Sequence, residues 1–154
     1  MTRPHIPHDS FIFVGDGRKA LFLRNDGDEK FPNFVTERVF VDHNAATREQ
    51  GTDRPGRGFA SSGGERRSAM EGTDWHELEE HRFTHRVTEA LESLVRARGA
   101  PALVVVAPPR ALADLRAAMH ADVKARVVAE INKDLTKQPV WDIEKHVMAE
   151  LEGE

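Results

Sequence analysis

The chain has 154 residues, of which 39% are hydrophobic and 31% charged, with a formal net charge of −4. That length fits one domain with its own core, no apolar run approaches the ~20 residues that a membrane helix needs, and the negative balance excludes whole-surface attraction to nucleic acid, so any such contact requires a local basic patch. Cysteine is absent, which removes disulfides, thiolate nucleophiles and cysteine-based zinc sites; with an opening MTRPHIPHDS that lacks the apolar core of a secretory signal, this fits a cytoplasmic protein.

Residues 11–14, FIFV, are rich in β-formers and predict a first strand. Gly15-Asp16-Gly17 then supplies a hairpin turn, because glycine and aspartate accept the positive φ it needs. A dinucleotide fingerprint is excluded there, since that motif must open a helix and a strand follows. Residues 19–24, KALFLR, give a second strand, and Asn25-Asp26-Gly27-Asp28 a second turn. Residues 33–43, NFVTERVFVDH, predict a third strand. Neither of its alternating faces is wholly apolar, so it belongs at the outside of a sheet with one face partly wet.

Residues 51–73, GTDRPGRGFASSGGERRSAMEGT, carry six glycines, four arginines and one proline. The composition predicts a long loop, and long loops in compact domains are functional or mobile. Arg54, Arg57, Arg66 and Arg67 can grip phosphates bidentately, while Gly56, Gly58, Gly63 and Gly64 let a backbone approach a phosphate closely. Asp53, Glu65 and Glu71 offset part of that charge. Ser61-Ser62-Gly63-Gly64 lacks the strand–turn–helix frame of a nucleophile elbow.

Residues 74–98 predict a long helix. Asp74 can cap it, with Glu77 reaching back, and Trp75, Leu78, Phe83, Val87, Leu91, Leu94 and Val95 form an apolar stripe at helical spacing. Gly99 is a left-handed stop and Pro101 forbids continuation. His76 and His81 are five apart, which fails the spacing of a zinc-protease helix. Glu77, His81 and His85 share a face at i, i+4 and i+8 and are weak metal candidates. Without a fourth ligand nearby the expectation is no metal and no cofactor, and a solvated charged face.

Leu103–Val106 predicts a strand buried on both faces, placed in the middle of the sheet. Pro108 and Pro109 follow, and Pro109 can open a helix whose buried positions are Leu112, Leu115 and Met119. A helical turn over 122–125, a strand over 127–132, a polar loop over 132–138 and a last helix capped by Asp142, with Ile143, Val147 and Leu151 inward, complete the chain. The order β-β-β-α-β-α-β-α predicts a single α/β domain with a mixed sheet of about five strands. If the strands at 11–14, 103–106 and 127–132 run parallel, the topology is ribonuclease-H-like. The strand at 103–106 carries no acid, which argues against a two-metal nuclease on this sheet.

Several pieces resemble the bacterial host attachment protein family: FIFVGDGRKALFLRN, TDRPGRGF, VVVAPPRALADLRAAM and VKARVVAEINKDLTKQP. The distinctive parts are DRPGR with Asp53 and Pro55, APPR with Pro108, Pro109 and Arg110, and NKDLT with Lys133 and Asp134. That family in turn resembles the central domain of archaeal and eukaryotic class I peptide-chain release factors. The resemblance implies a β-meander, a glycine-rich loop, a long helix and then strand–helix–strand. Gly63-Gly64 stands where the release-factor Gly-Gly-Gln begins, but Glu65 replaces the glutamine. A carboxylate there would face an ester and phosphates, which argues against peptidyl-tRNA hydrolysis. The first reading is therefore a non-catalytic binding protein that contacts ribosome or RNA through 51–73. The second is a host-cell attachment factor acting through protein partners, and the third an esterase or metal-dependent hydrolase. No membrane contact is expected, and nothing in the pattern fixes an oligomeric state.

Overall fold

A computed structural model describes residues 5–42 and 64–153, with the backbone alone over 64–74. Its strands are β1 (Phe11–Gly15), β2 (Lys19–Asn25), β3 (Phe34–Val41), β4 (Leu103–Val106) and β5 (Val127–Ile131). The described helices are α1 (Gly64–Arg98), α2 (Pro109–Ala118), α3 (Ala121–Lys124) and α4 (Val140–Glu152). The strands form one five-stranded sheet in the order β3-β2-β1-β4-β5. β1 pairs antiparallel with β2 and β2 with β3, whereas β4 runs parallel to both β1 and β5. This is the mixed five-stranded α/β sheet expected from the sequence.

Pleating divides the core in two. Phe11, Phe13, Phe22, Leu103 and Val105 join Phe83, Val87, Leu91 and Val95 of α1 and Leu112 and Leu115 of α2 on one face. Ile12, Val14, Leu23, Val104 and Val106 join Ile143, Val147 and Leu151 of α4 on the other. β1 and β4 are buried on both faces, so their sequences are continuously apolar rather than alternating. β3 is an edge strand with a mostly half-wet pattern, as its mixed faces require.

Four expectations change. The middle strand is β1, not β4, because the meander stacks both β2 and β3 on its far side. Helix α1 starts at Gly64, so residues 64–73, expected as loop, are helical and Asp74 lies inside the helix instead of capping it. Glu65, Arg66, Arg67, Ala69, Met70 and Glu71 are good helix formers, and together they outweigh the flanking glycines. Helix α4 is preceded by Pro139 as its N-cap, and Asp142 sits in the first turn. There its charge favours the positive end of the helix without capping it. The loop at 132–138 is not wholly polar in its placement, since Leu135 and Thr136 are buried.

Candidate functional site

Of the residues expected to contact phosphate, Gly64, Arg66 and Arg67 lie at the start of α1. Arg54, Arg57, Gly56, Gly58 and Gly63, with Asp53 and Pro55, fall outside the described residues. At 1.5 Å per residue the stretch from 64 to 78 is about 22 Å of helix. The first side chain of α1 to be buried, among those described, is Glu79, while Trp75 and Leu78 are 40% and 41% exposed. Both belong to the apolar stripe that the spacing predicts, yet the part of the stripe that is buried begins at Phe83. Arg82 stacks over the Trp75 ring at 5.7 Å.

A second feature lies at the carboxyl ends of the parallel neighbours β1 and β4. From there β1 turns towards β2, and β4 leaves through α2 towards β5 on the other side. Chains diverging from adjacent strand ends leave a crevice, the usual ligand position in open α/β sheets. Here it is a cleft of about 410 Å³ whose lining includes Asp16, Glu80, Thr84, Pro108, Arg110 and Asp114. The Asp16 carboxylate builds its floor. One oxygen accepts the backbone N–H groups of Arg18 and Lys19, both at 2.8 Å, and the other accepts the Thr136 hydroxyl at 3.1 Å. Gly17, at φ 94°, takes the left-handed conformation this turn demands. A Cβ there would lie 3.5 Å from Glu80, so the turn packs directly on α1.

The described family-motif residues, Pro108, Pro109, Arg110, Lys133 and Asp134, follow β4 and β5 at this end of the sheet. Pro108 is the N-cap of α2 and Pro109 its first residue, where a missing N–H costs nothing. Arg110 reaches Glu77 of α1 at 3.6 Å. Lys133 pairs with Glu150 of α4 at 2.8 Å. The single Thr136 hydroxyl proton is shared between Asp134 at 2.8 Å and Asp16 at 3.1 Å, so the NKDLT stretch joins α4, its own turn and, through Thr136, the β1–β2 turn. Sequence reasoning missed the Asp16–Thr136 link; the two are 120 residues apart and only topology brings them together.

The three weak metal candidates do not converge. Glu77 faces Arg110, His81 faces Asp114 at 3.3 Å and His85 faces Glu89 at 3.7 Å. No group of three or more His, Cys, Asp or Glu among the described residues could hold a metal ion. The resolved pKa shifts fall on ion pairs between elements. The Arg24 guanidinium, followed by that of Arg98, holds the Glu37 carboxyl below the usual range and ties β2, β3 and the end of α1 together. The Arg96 guanidinium lowers Asp122 to about 2, joining α1 to α3.

No described helix is long and apolar enough to cross a membrane. No curated protein matches the chain. A family model does, over residues 9–147, and its description is "Bacterial archaeo-eukaryotic release factor family 12". The match supports the release-factor part of the resemblance and does not carry the attachment name. It also implies a translation-related role.

Proposed function

Since the chain belongs to bacterial archaeo-eukaryotic release factor family 12, we infer that it is a non-catalytic, cytoplasmic, translation-associated protein that contacts ribosomal RNA through the Gly/Arg stretch 51–73. The observation that carries this reading is the family match across 9–147, which spans that stretch. Two physical arguments support it. Arginine binds phosphate bidentately, and glycine removes the Cβ that would hold a backbone away. In addition, Arg66 and Arg67 occupy the N-terminal turn of α1, where the helix dipole disfavours cations and favours a phosphate anion. A bound phosphate offsets both, using the arginines and the free N–H groups together.

Co-sedimentation of the native protein with ribosomes over a salt series tests the reading. The expected outcome is pelleting at low salt and steep release as salt rises, because each neutralised phosphate contributes about −0.7 to the slope of log K against log salt for single-stranded nucleic acid. Absence from ribosomal fractions at every salt concentration contradicts it. Recovery on the cell surface or in the medium instead would favour the attachment reading.

A further inference from the structure

β3 is the outermost strand on its side of the sheet, so one of its backbone edges faces no other described strand. Proteins shield such edges with bulges, charges or a covering element, because an open row of N–H and C=O groups invites another chain. The first half of β3 follows that rule. Its pairing steps from Arg38 opposite Phe22 to Thr36 opposite Leu23, which leaves Glu37 as the extra residue of a bulge. Glu37 is held there by Arg24 at 2.7 Å and Arg98 at 2.9 Å, and the Phe34 N–H is taken by Glu144 of α4 at 2.9 Å. Beyond the bulge the edge is apolar instead: Val39 and Val41 are 53% and 49% exposed.

Two backbone bonds fix the phase of that second half. Asp42 donates its N–H to the Arg18 carbonyl at 2.8 Å, whereas Asp16 of the β1–β2 turn donates to the Lys19 carbonyl at 3.1 Å. Along antiparallel strands successive residues direct their groups to opposite sides. Arg38, Phe40 and Asp42 therefore bond to β2, and the N–H and C=O groups of Val39 and Val41 point away from the sheet. The side chains have a phase too. Phe40 lies against Phe22 at 4.9 Å on the α1 face, while Val39 stands opposite Leu21 on the α4 face.

We propose that this edge pairs antiparallel with the same strand of a second copy of the chain, about a two-fold axis at Phe40. In that register Val39 meets Val41 of the second copy and Val41 meets its Val39, each pair exchanging both N–H···O bonds. The valines form an apolar row on the α4 face, and the Phe40 rings meet on the α1 face, both favourable cross-strand pairings. An axis at Arg38 or Val39 instead sets a valine against the bulged Glu37. Beside the edge, between β3 and α1, runs a groove of about 520 Å³ whose lining includes Phe40, Val41, Phe83, Val87, Arg86 and Glu89. It opens on the face where the second copy's Phe40 stands. Its guanidinium and carboxylate balance, so the groove does not select a strongly acidic or basic peptide. Opposite charges within one patch suit a two-fold, which sets the patch against itself. So short a seam falls at the small end of interface sizes, so the dimer dissociates on dilution.

Sedimentation velocity of the full chain between about 1 μM and about 1 mM tests the proposal. A reversible monomer–dimer equilibrium is expected. Amide hydrogen exchange at the two ends of that range locates the seam: the Val39 and Val41 amides should slow most at high concentration, and Phe40, whose N–H faces β2, should change little. Val39→Lys with Val41→Lys sets like charges across the seam and should abolish the dimer. Both positions are exposed, so its circular dichroism should match wild type. Should that variant not fold, the exchange pattern of the wild type still decides. A monomer at every concentration overturns the proposal and leaves the edge to an extended peptide of another protein. A dimer whose Val39 and Val41 amides stay unprotected, or one that persists in the folded double variant, overturns it as well.

Discussion

From Glu79 onward α1 buries side chains against the sheet, with Phe83, Val87, Leu91 and Val95 in one cluster. Ahead of Glu79, Trp75 and Leu78 are exposed and the helix opens on Gly64, Arg66 and Arg67. One helix thus joins an anchored half to a half that contributes little to the described core. The comparison shows that helix formation and burial have different causes here. The anchored half is held by apolar area, whereas Trp75 and Leu78 ahead of it stay 40% and 41% exposed on a helix whose first turns are rich in helix-forming residues.

Mutations separate the halves by size of effect. Leu91→Ala, at a fully buried position, lowers unfolding free energy by about 2–5 kcal/mol in a urea titration. Asp16→Ala deprives two backbone N–H groups of their acceptor and removes one of the two carboxylates on the Thr136 hydroxyl, and costs about 1–3 kcal/mol by the same measurement. Thr136→Val removes the hydroxyl that both Asp16 and Asp134 face and costs about 1 kcal/mol. In the leading half, Leu78→Ala changes stability by no more than about 0.5 kcal/mol. A large loss there would mean that the leading half is packed, which breaks the comparison.

The smallest effect is a pH dependence within the anchored half. Asp122 is lowered to about 2 by the hydrogen bond from Arg96. A depressed folded-state pKa contributes stability above the unfolded value of about 3.9, and loses it as pH falls through the folded one. Wild type therefore exceeds Arg96→Ala by a small constant margin at neutral pH, since the pair is exposed. That margin closes as pH approaches about 2. Carboxyl NMR of Asp122 in the variant should titrate in the ordinary aspartate range.

Much of this was legible in the residues. Continuous apolar runs marked β1 and β4, a mixed third strand marked the edge, and Gly99 with Pro101 marked the end of α1. The start of α1 was hidden because glycine density in 51–73 masked good helix formers after Gly64. The middle position of β1 was hidden because strand order depends on where the meander stacks, which local pattern does not encode. The cleft was hidden for a similar reason. Asp16, Glu80, Asp114 and Thr136 come from four separate stretches, and each alone looks like a turn, a solvated helix face or a loop.

The central claim, that the arginines before and at the start of α1 contact ribosomal RNA, is tested most directly by replacing them together. Arg54→Ala, Arg57→Ala, Arg66→Ala and Arg67→Ala in one chain should leave the melting temperature unchanged, because no described core residue is altered. The variant should lose ribosome co-sedimentation and reduce the magnitude of its salt slope by about three, one increment of roughly 0.7 for each phosphate contact removed. Pelleting with unchanged affinity and unchanged salt slope would contradict the account.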